Sequence, residues 1–101
     1  MPTYRFLDTE RRDIVFEEGV TEFIYHPESG RLCLGKECSC AFLISVDGGA
    51  PQSCLFLPRN MRHDEIVRRI EEIAPKGVFF KEVRGGPDGL VCFKVANIAK
   101  K

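Results

Sequence analysis

Short runs of alternating apolar and polar residues, broken at close intervals by glycine, proline and charged turns, run through most of this chain and predict strands. Tyr4 to Leu7 is the first run, Asp13 to Glu17 the second and Thr21 to Tyr25 the third. His26-Pro27-Glu28-Ser29-Gly30 combines a proline preset for a turn with a glycine able to take positive φ, so Glu22 to Tyr25 and Arg31 to Leu34 are expected to pair as a hairpin. A second hairpin is expected from Cys40 to Val46 and Ser53 to Leu57 around Asp47-Gly48-Gly49-Ala50-Pro51. The two-residue period puts Cys40, Phe42, Ile44 and Val46 on one face of its first strand. A third hairpin follows from Val78 to Val83 and Leu90 to Val95, around Gly85-Gly86-Pro87-Asp88-Gly89.

One segment has a different period. Between Met61 and Ile73 the apolar positions Ile66, Val67, Ile70 and Ile73 recur at helical spacing, giving a single amphipathic stripe. Asn60 is the expected N-cap, Asp64 and Glu65 suit the positive end of the helix dipole, and Pro75-Lys76-Gly77 stops the helix. With no repeat and no low-complexity stretch, residues 1–101 read as one α+β domain. Its expected architecture is a small, mostly antiparallel sheet built from hairpins and packed against one helix, about Met61 to Ile73.

At 101 residues and 44% apolar composition the chain can build a core without staples, so a metal site must be argued from its ligands. The 15 basic and 15 acidic side chains cancel, which excludes long-range attraction of the whole molecule to nucleic acid or an anionic membrane. The halves differ, however: residues 1–58 carry 5 basic and 9 acidic groups, a balance of −4, and residues 59–101 carry 10 and 6, a balance of +4. The amino terminus has no apolar run of the kind a signal peptide needs, and other apolar runs are strand-sized. The expectation is a cytoplasmic protein with no membrane attachment, in which the five cysteines are reduced, free thiols.

Cys33, Cys38 and Cys40 form C-x4-C-x-C, and Cys54 lies on the strand expected to pair with the one that begins at Cys40. Four thiolates so placed suit tetrahedral zinc, although Cys54 lacks the close second cysteine of a standard structural site. Buried, idle thiols are the competing reading, because free cysteine packs as a small hydrophobe. Cys54 with His63 offers a thiol and a base, but no acidic group is fixed beside them by spacing. The glycine-rich loop at 85–89 leads into an extended apolar stretch rather than a helix, which excludes a phosphate cradle.

The basic carboxyl-terminal half contains Lys76, Phe79, Lys81 and Arg84, cations interleaved with an aromatic ring as in single-strand nucleic-acid surfaces. Phe79 and Phe80 alternate in facing, so at most one of them is a stacking platform. On the helix, Asp64 with Arg68, Glu65 with Arg69 and Arg69 with Glu72 are expected to pair, leaving Arg59, Arg62, Lys76, Lys81, Arg84 and Lys94 unpaired.

The function expected from these residues is that of a non-catalytic module that binds another protein or a second copy of itself, with no cofactor. A zinc protein using Cys33, Cys38, Cys40 and Cys54 is the alternative, and weak single-strand binding through Lys76, Phe79, Lys81 and Arg84 is a further one.

Overall fold

The computed structural model describes residues 2–97. Its elements are β1 (Tyr4–Leu7), β2 (Thr21–His26), β3 (Arg31–Lys36), β4 (Ser39–Cys40), β5 (Leu43–Val46), β6 (Leu55–Phe56), α1 (His63–Ile73), β7 (Val78–Gly85) and β8 (Val91–Asn97), with a 3-10 turn at Pro87–Gly89. The larger sheet has the order β4-β3-β2-β8-β7, all neighbours antiparallel, and β6 also pairs with β3. A second sheet pairs β1 with β5. This is the α+β architecture expected, one helix against a mostly antiparallel sheet.

Alternation within β2, β3 and β8 divides the larger sheet into two faces. Phe23 and Tyr25 of β2, Leu32 and Leu34 of β3, and Phe93 and Val95 of β8 are buried together with Ile66, Ile70 and Ile73 of the helix. The β1–β5 sheet closes the same core, Phe6 meeting Phe16 edge-on at 5.2 Å and Phe23 at 6.2 Å. The opposite face carries Ile24, Cys33 and Cys92 in one row, because Ile24 stands opposite both cysteines in the register. Burying the helix face is what holds α1, since each fully buried isoleucine contributes about 1.5–3 kcal/mol relative to exposure.

The first and third hairpins form as expected, each longer by a few residues. The second does not. Leu43–Val46 pairs with β1, Leu55–Phe56 pairs with Arg31 and Leu32, and one isolated bridge, Ile44 to Gln52, is all that remains of the expected hairpin. Cys40 belongs to β4, and Ala41 and Phe42 leave the strand to donate their N–H groups to Leu34 O. Cys40 therefore does not share a strand with Phe42, Ile44 and Val46. Asp13 to Glu17 is not a strand either; only Asp13 makes a bridge, to Leu7.

The helix begins at His63, with Arg62 rather than Asn60 at its cap. Asn60 sits at φ 54 in the left-handed region, and the carboxylate of Glu65 accepts the Arg62 N–H at 3.2 Å. The chain ahead of the helix is pinned by Tyr25, whose hydroxyl donates to Pro58 O and accepts from Met61 N at 3.1 Å. Tyr25→Phe removes both bonds from a group that is 1% exposed. It is expected to lower stability by about 1–3 kcal/mol, read as a shifted urea midpoint at unchanged slope. An unchanged midpoint would show that the sheet does not anchor this segment.

Candidate functional site

The face of the larger sheet away from the helix gathers four of the five cysteines. Glu37 and Cys38 form the two-residue turn between β3 and β4, both at positive φ (52 and 59), the geometry of a type I′ hairpin turn. Cysteine is an unfavourable residue at such a position, where asparagine or glycine is usual. The tight return needs Gly35, on which a Cβ would overlap the Ser39 carbonyl oxygen. It brings Cys40 opposite Gly35, within bonding reach of Cys33, and turns Cys38 towards β8.

Cys33 is disulfide-bonded to Cys40 and Cys38 to Cys92, with Cα–Cα 5.8 Å in each pair. That spacing lies in the ordinary range for a disulfide. The expectation of free thiols therefore holds only for Cys54, the one free cysteine among the described residues. Cys54 is buried in the same small cluster as Ile24, Cys33 and Cys92, with Cys38 and Leu90 at its margin. So the structure brings Cys33, Cys38 and Cys40 to one face, sets Cys54 beside them, and adds Cys92. His63 lies on the other side of the sheet, edge-on to Phe93 at 5.8 Å.

Glu22 completes this face. Its side chain is 1% exposed; one carboxylate oxygen accepts the Cys38 N–H at 2.7 Å and the other faces Arg84 Nε at 3.3 Å. Among the described residues, Glu22, Cys38 and Cys92 are the one group of three potential ligands whose donor atoms all lie within 4.8 Å of one another. Gly86 roofs the sulfurs, since a Cβ there would stand 3.0 Å from Cys92 Sγ and 3.1 Å from Cys38 Sγ. A cleft of about 160 Å³, lined by Gly19, Val20, Glu22, Glu37, Arg84 and Lys94, opens beside the carboxylate.

Two carboxylates lie away from this face, in the β1 region. A hydrogen bond from Arg5 holds Asp13 below its ordinary range, and the Arg12 backbone N–H does the same for Asp8.

The basic set is divided by these contacts. Phe79 and Arg84 are on the outer face of β7, opposite Ala96 and Cys92, while Phe80 turns inward and packs against Phe93 at 6.1 Å. Lys81 occupies a β-bulge, and Lys76 lies in the turn that precedes β7. Arg84 is not unpaired as expected, being bound to Glu22; Arg62 pairs with Asp64 at 3.4 Å, and Lys94 approaches Glu82 at 4.0 Å. Two helix pairs form as expected, Asp64 with Arg68 and Arg69 with Glu72, but Glu65 turns to Arg62 instead of Arg69. Arg84 gives its Nε–H to Glu22 while its side chain stays 46% exposed.

Among the described residues, no helix is long and apolar enough to cross a membrane. Comparison with protein-family models, with characterised proteins and with solved structures finds no match to this chain.

The sequence missed Cys92 and Glu22. Alternation does place Cys92 opposite to Phe93 and Val95, and Cys33 opposite to Leu32 and Leu34. What it lacks is the pairing of β2 with both β3 and β8, which puts the two cysteines on either side of Ile24.

Proposed function

We propose that this domain acts as a self-pairing module, two copies joining along β7. The observation that carries this reading is the state of that strand: it has eight residues, among the described residues β8 is its one strand partner, and Lys81 through Gly85 are all exposed along it. An open edge of this length is a template for strand addition.

The sequence of β7 is complementary to itself in one antiparallel register. With a two-fold axis between Lys81 and Glu82, Lys81 of one copy faces Glu82 of the other, Phe80 faces Val83, Phe79 faces Arg84 and Val78 faces Gly85. The bulge at Lys81 makes this register consistent in facing. Val78 and Phe80 before it, and Val83 and Gly85 after it, lie opposite Asn97, Val95, Phe93 and Val91 on the helix side of the sheet. Phe79 and Arg84 both lie on the outer side. Without the extra residue, an odd-sum register would set inward side chains against outward ones.

Two opposite-charge pairs and two aromatic–aliphatic pairs then meet at the axis, each contributing about 0.2–1 kcal/mol. Lys81→Glu replaces both charge pairs by like-charge ones. By sedimentation velocity it is expected to weaken the dimer by roughly ten- to hundredfold. The double exchange Lys81→Glu with Glu82→Lys restores opposite charges in the same register and is expected to recover most of the loss. A protein that stays monomeric at millimolar concentration overturns the proposal, and so does a dimer indifferent to Lys81→Glu.

A further inference from the structure

We infer that Cys38, Cys92 and Glu22, in the dithiol state, form a binding site for one thiophilic divalent cation, zinc in the first instance. The inference is independent of pairing along β7. Its ground is that the buried Glu22 carboxylate lies within 4.8 Å of both sulfurs of the Cys38–Cys92 pair, the three groups coming from a turn and two separate strands. Thiolate sulfur and carboxylate oxygen are both ordinary zinc ligands, and three protein ligands leave a fourth position for solvent. A cleft lined by Glu22, Glu37, Arg84 and Lys94 lies on the Glu22 side of this group.

Charge supports the assignment. Two thiolates and one carboxylate bring three negative charges to a nearly dry place, and a lone cluster of that kind is strongly unfavourable. A divalent ion cancels two of them, and the Arg84 guanidinium, 3.3 Å from the carboxylate, cancels the third. Glu22 is held as a ligating carboxylate usually is, by bonds from outside the coordination sphere: the Cys38 N–H on one oxygen and Arg84 on the other. The left-handed backbone of Cys38, and the absence of a side chain at Gly86 where one would press on both sulfurs, further mark the geometry as arranged around the sulfur atoms.

Reaching the site from the disulfide takes two electrons and two protons. A dithiol reductant supplies the two electrons and two protons, the Cys38–Cys92 bond opens to two thiols, and the reductant is oxidised to its disulfide; with a phosphine, water supplies the protons and the oxygen of the phosphine oxide. Binding the cation then releases the two thiol protons to solvent. Cys33 and Cys40 form the neighbouring pair and lie outside the three-ligand group.

The test is titration of the 101-residue chain with Zn²⁺ after anaerobic reduction, with Co²⁺ as the spectroscopic probe and circular dichroism as the check on folding. One ion per chain and a thiolate-to-cobalt charge-transfer band are expected. Cys38→Ser and Cys92→Ser should each abolish the band, Glu22→Gln should weaken binding by at least about tenfold, and Cys33→Ser and Cys54→Ser should leave it. Failure of the reduced, folded protein to bind either ion overturns the inference. So does binding that survives Cys92→Ser and depends on Cys33 and Cys54, which would establish the other cysteine set.

Discussion

Phe93→Ala is expected to lower stability by about 3–5 kcal/mol. Phe93 is fully buried on β8, stands opposite Phe23 of β2 and Val83 of β7, and meets the rings of Phe80 and His63. It is the point where the sheet, the helix start and the β7 edge share one side chain. Truncation removes transfer free energy and leaves a cavity whose walls, two strands and a helix, cannot all close at once. A domain of this size has about 5–15 kcal/mol in total, so the variant should lie close to the threshold of folding. Urea denaturation followed by circular dichroism measures the loss. Phe79→Ala, on a side chain 37% exposed, is the control expected to stay within about 1 kcal/mol. A loss at Phe93 no greater than at Phe79 would show that the core is not centred on β8.

Gly35→Ala is the second large effect, and it acts through the backbone. The added methyl would overlap the Ser39 carbonyl, with Cys40 Cα 2.9 Å away, so β3 and β4 cannot remain paired at their present separation. The obstruction is main chain, which cannot rotate aside as a side-chain tip would. The expected loss is about 2–4 kcal/mol, the range of a severe local strain with lost pairing. It should be accompanied by faster alkylation of Cys38 and Cys40 in reduced protein. Gly85→Ala is the matched comparison: a strand glycine with nothing within 4 Å of the added carbon, expected to be neutral or slightly stabilising. Equal effects at the two positions would remove the close approach as the cause.

What the chain's pattern reveals and what it hides follow from the range of each interaction. The turn at Pro27 to Gly30, the stripe of Ile66, Ile70 and Ile73, and the Gly-Pro-Asp-Gly loop are local features, and the elements they specify appear where expected. Leu43–Val46 shows the limit. Alternation states which residues share a face, but not which strand lies alongside. The nearest candidate in sequence, Ser53 to Leu57, loses to β1, whose Tyr4 pairs with Val46. The sulfur site was half visible for the same reason. C-x4-C-x-C marks the turn between β3 and β4, whereas Cys92 arrives through a partnership 54 residues away. Glu22 was invisible because a carboxylate in a strand is ordinarily solvated, and its burial depends on Arg84, 62 residues on.

The far side of β3 has a bearing on how large an assembly can grow. That margin is shared by two strands of two residues each, β4 alongside Gly35 and Lys36 and β6 alongside Arg31 and Leu32, while Leu34 O between them is taken by Ala41 and Phe42. The larger sheet thus ends bluntly on one flank and is open on the other. Growth by edge addition needs two receptive flanks per subunit, one to receive and one to offer. A subunit with a single receptive flank closes into a two-fold particle and stops there. On the proposed pairing along β7, the short strands β4 and β6 would act as terminators, giving a chain with one long exposed strand a finite association in place of a fibre.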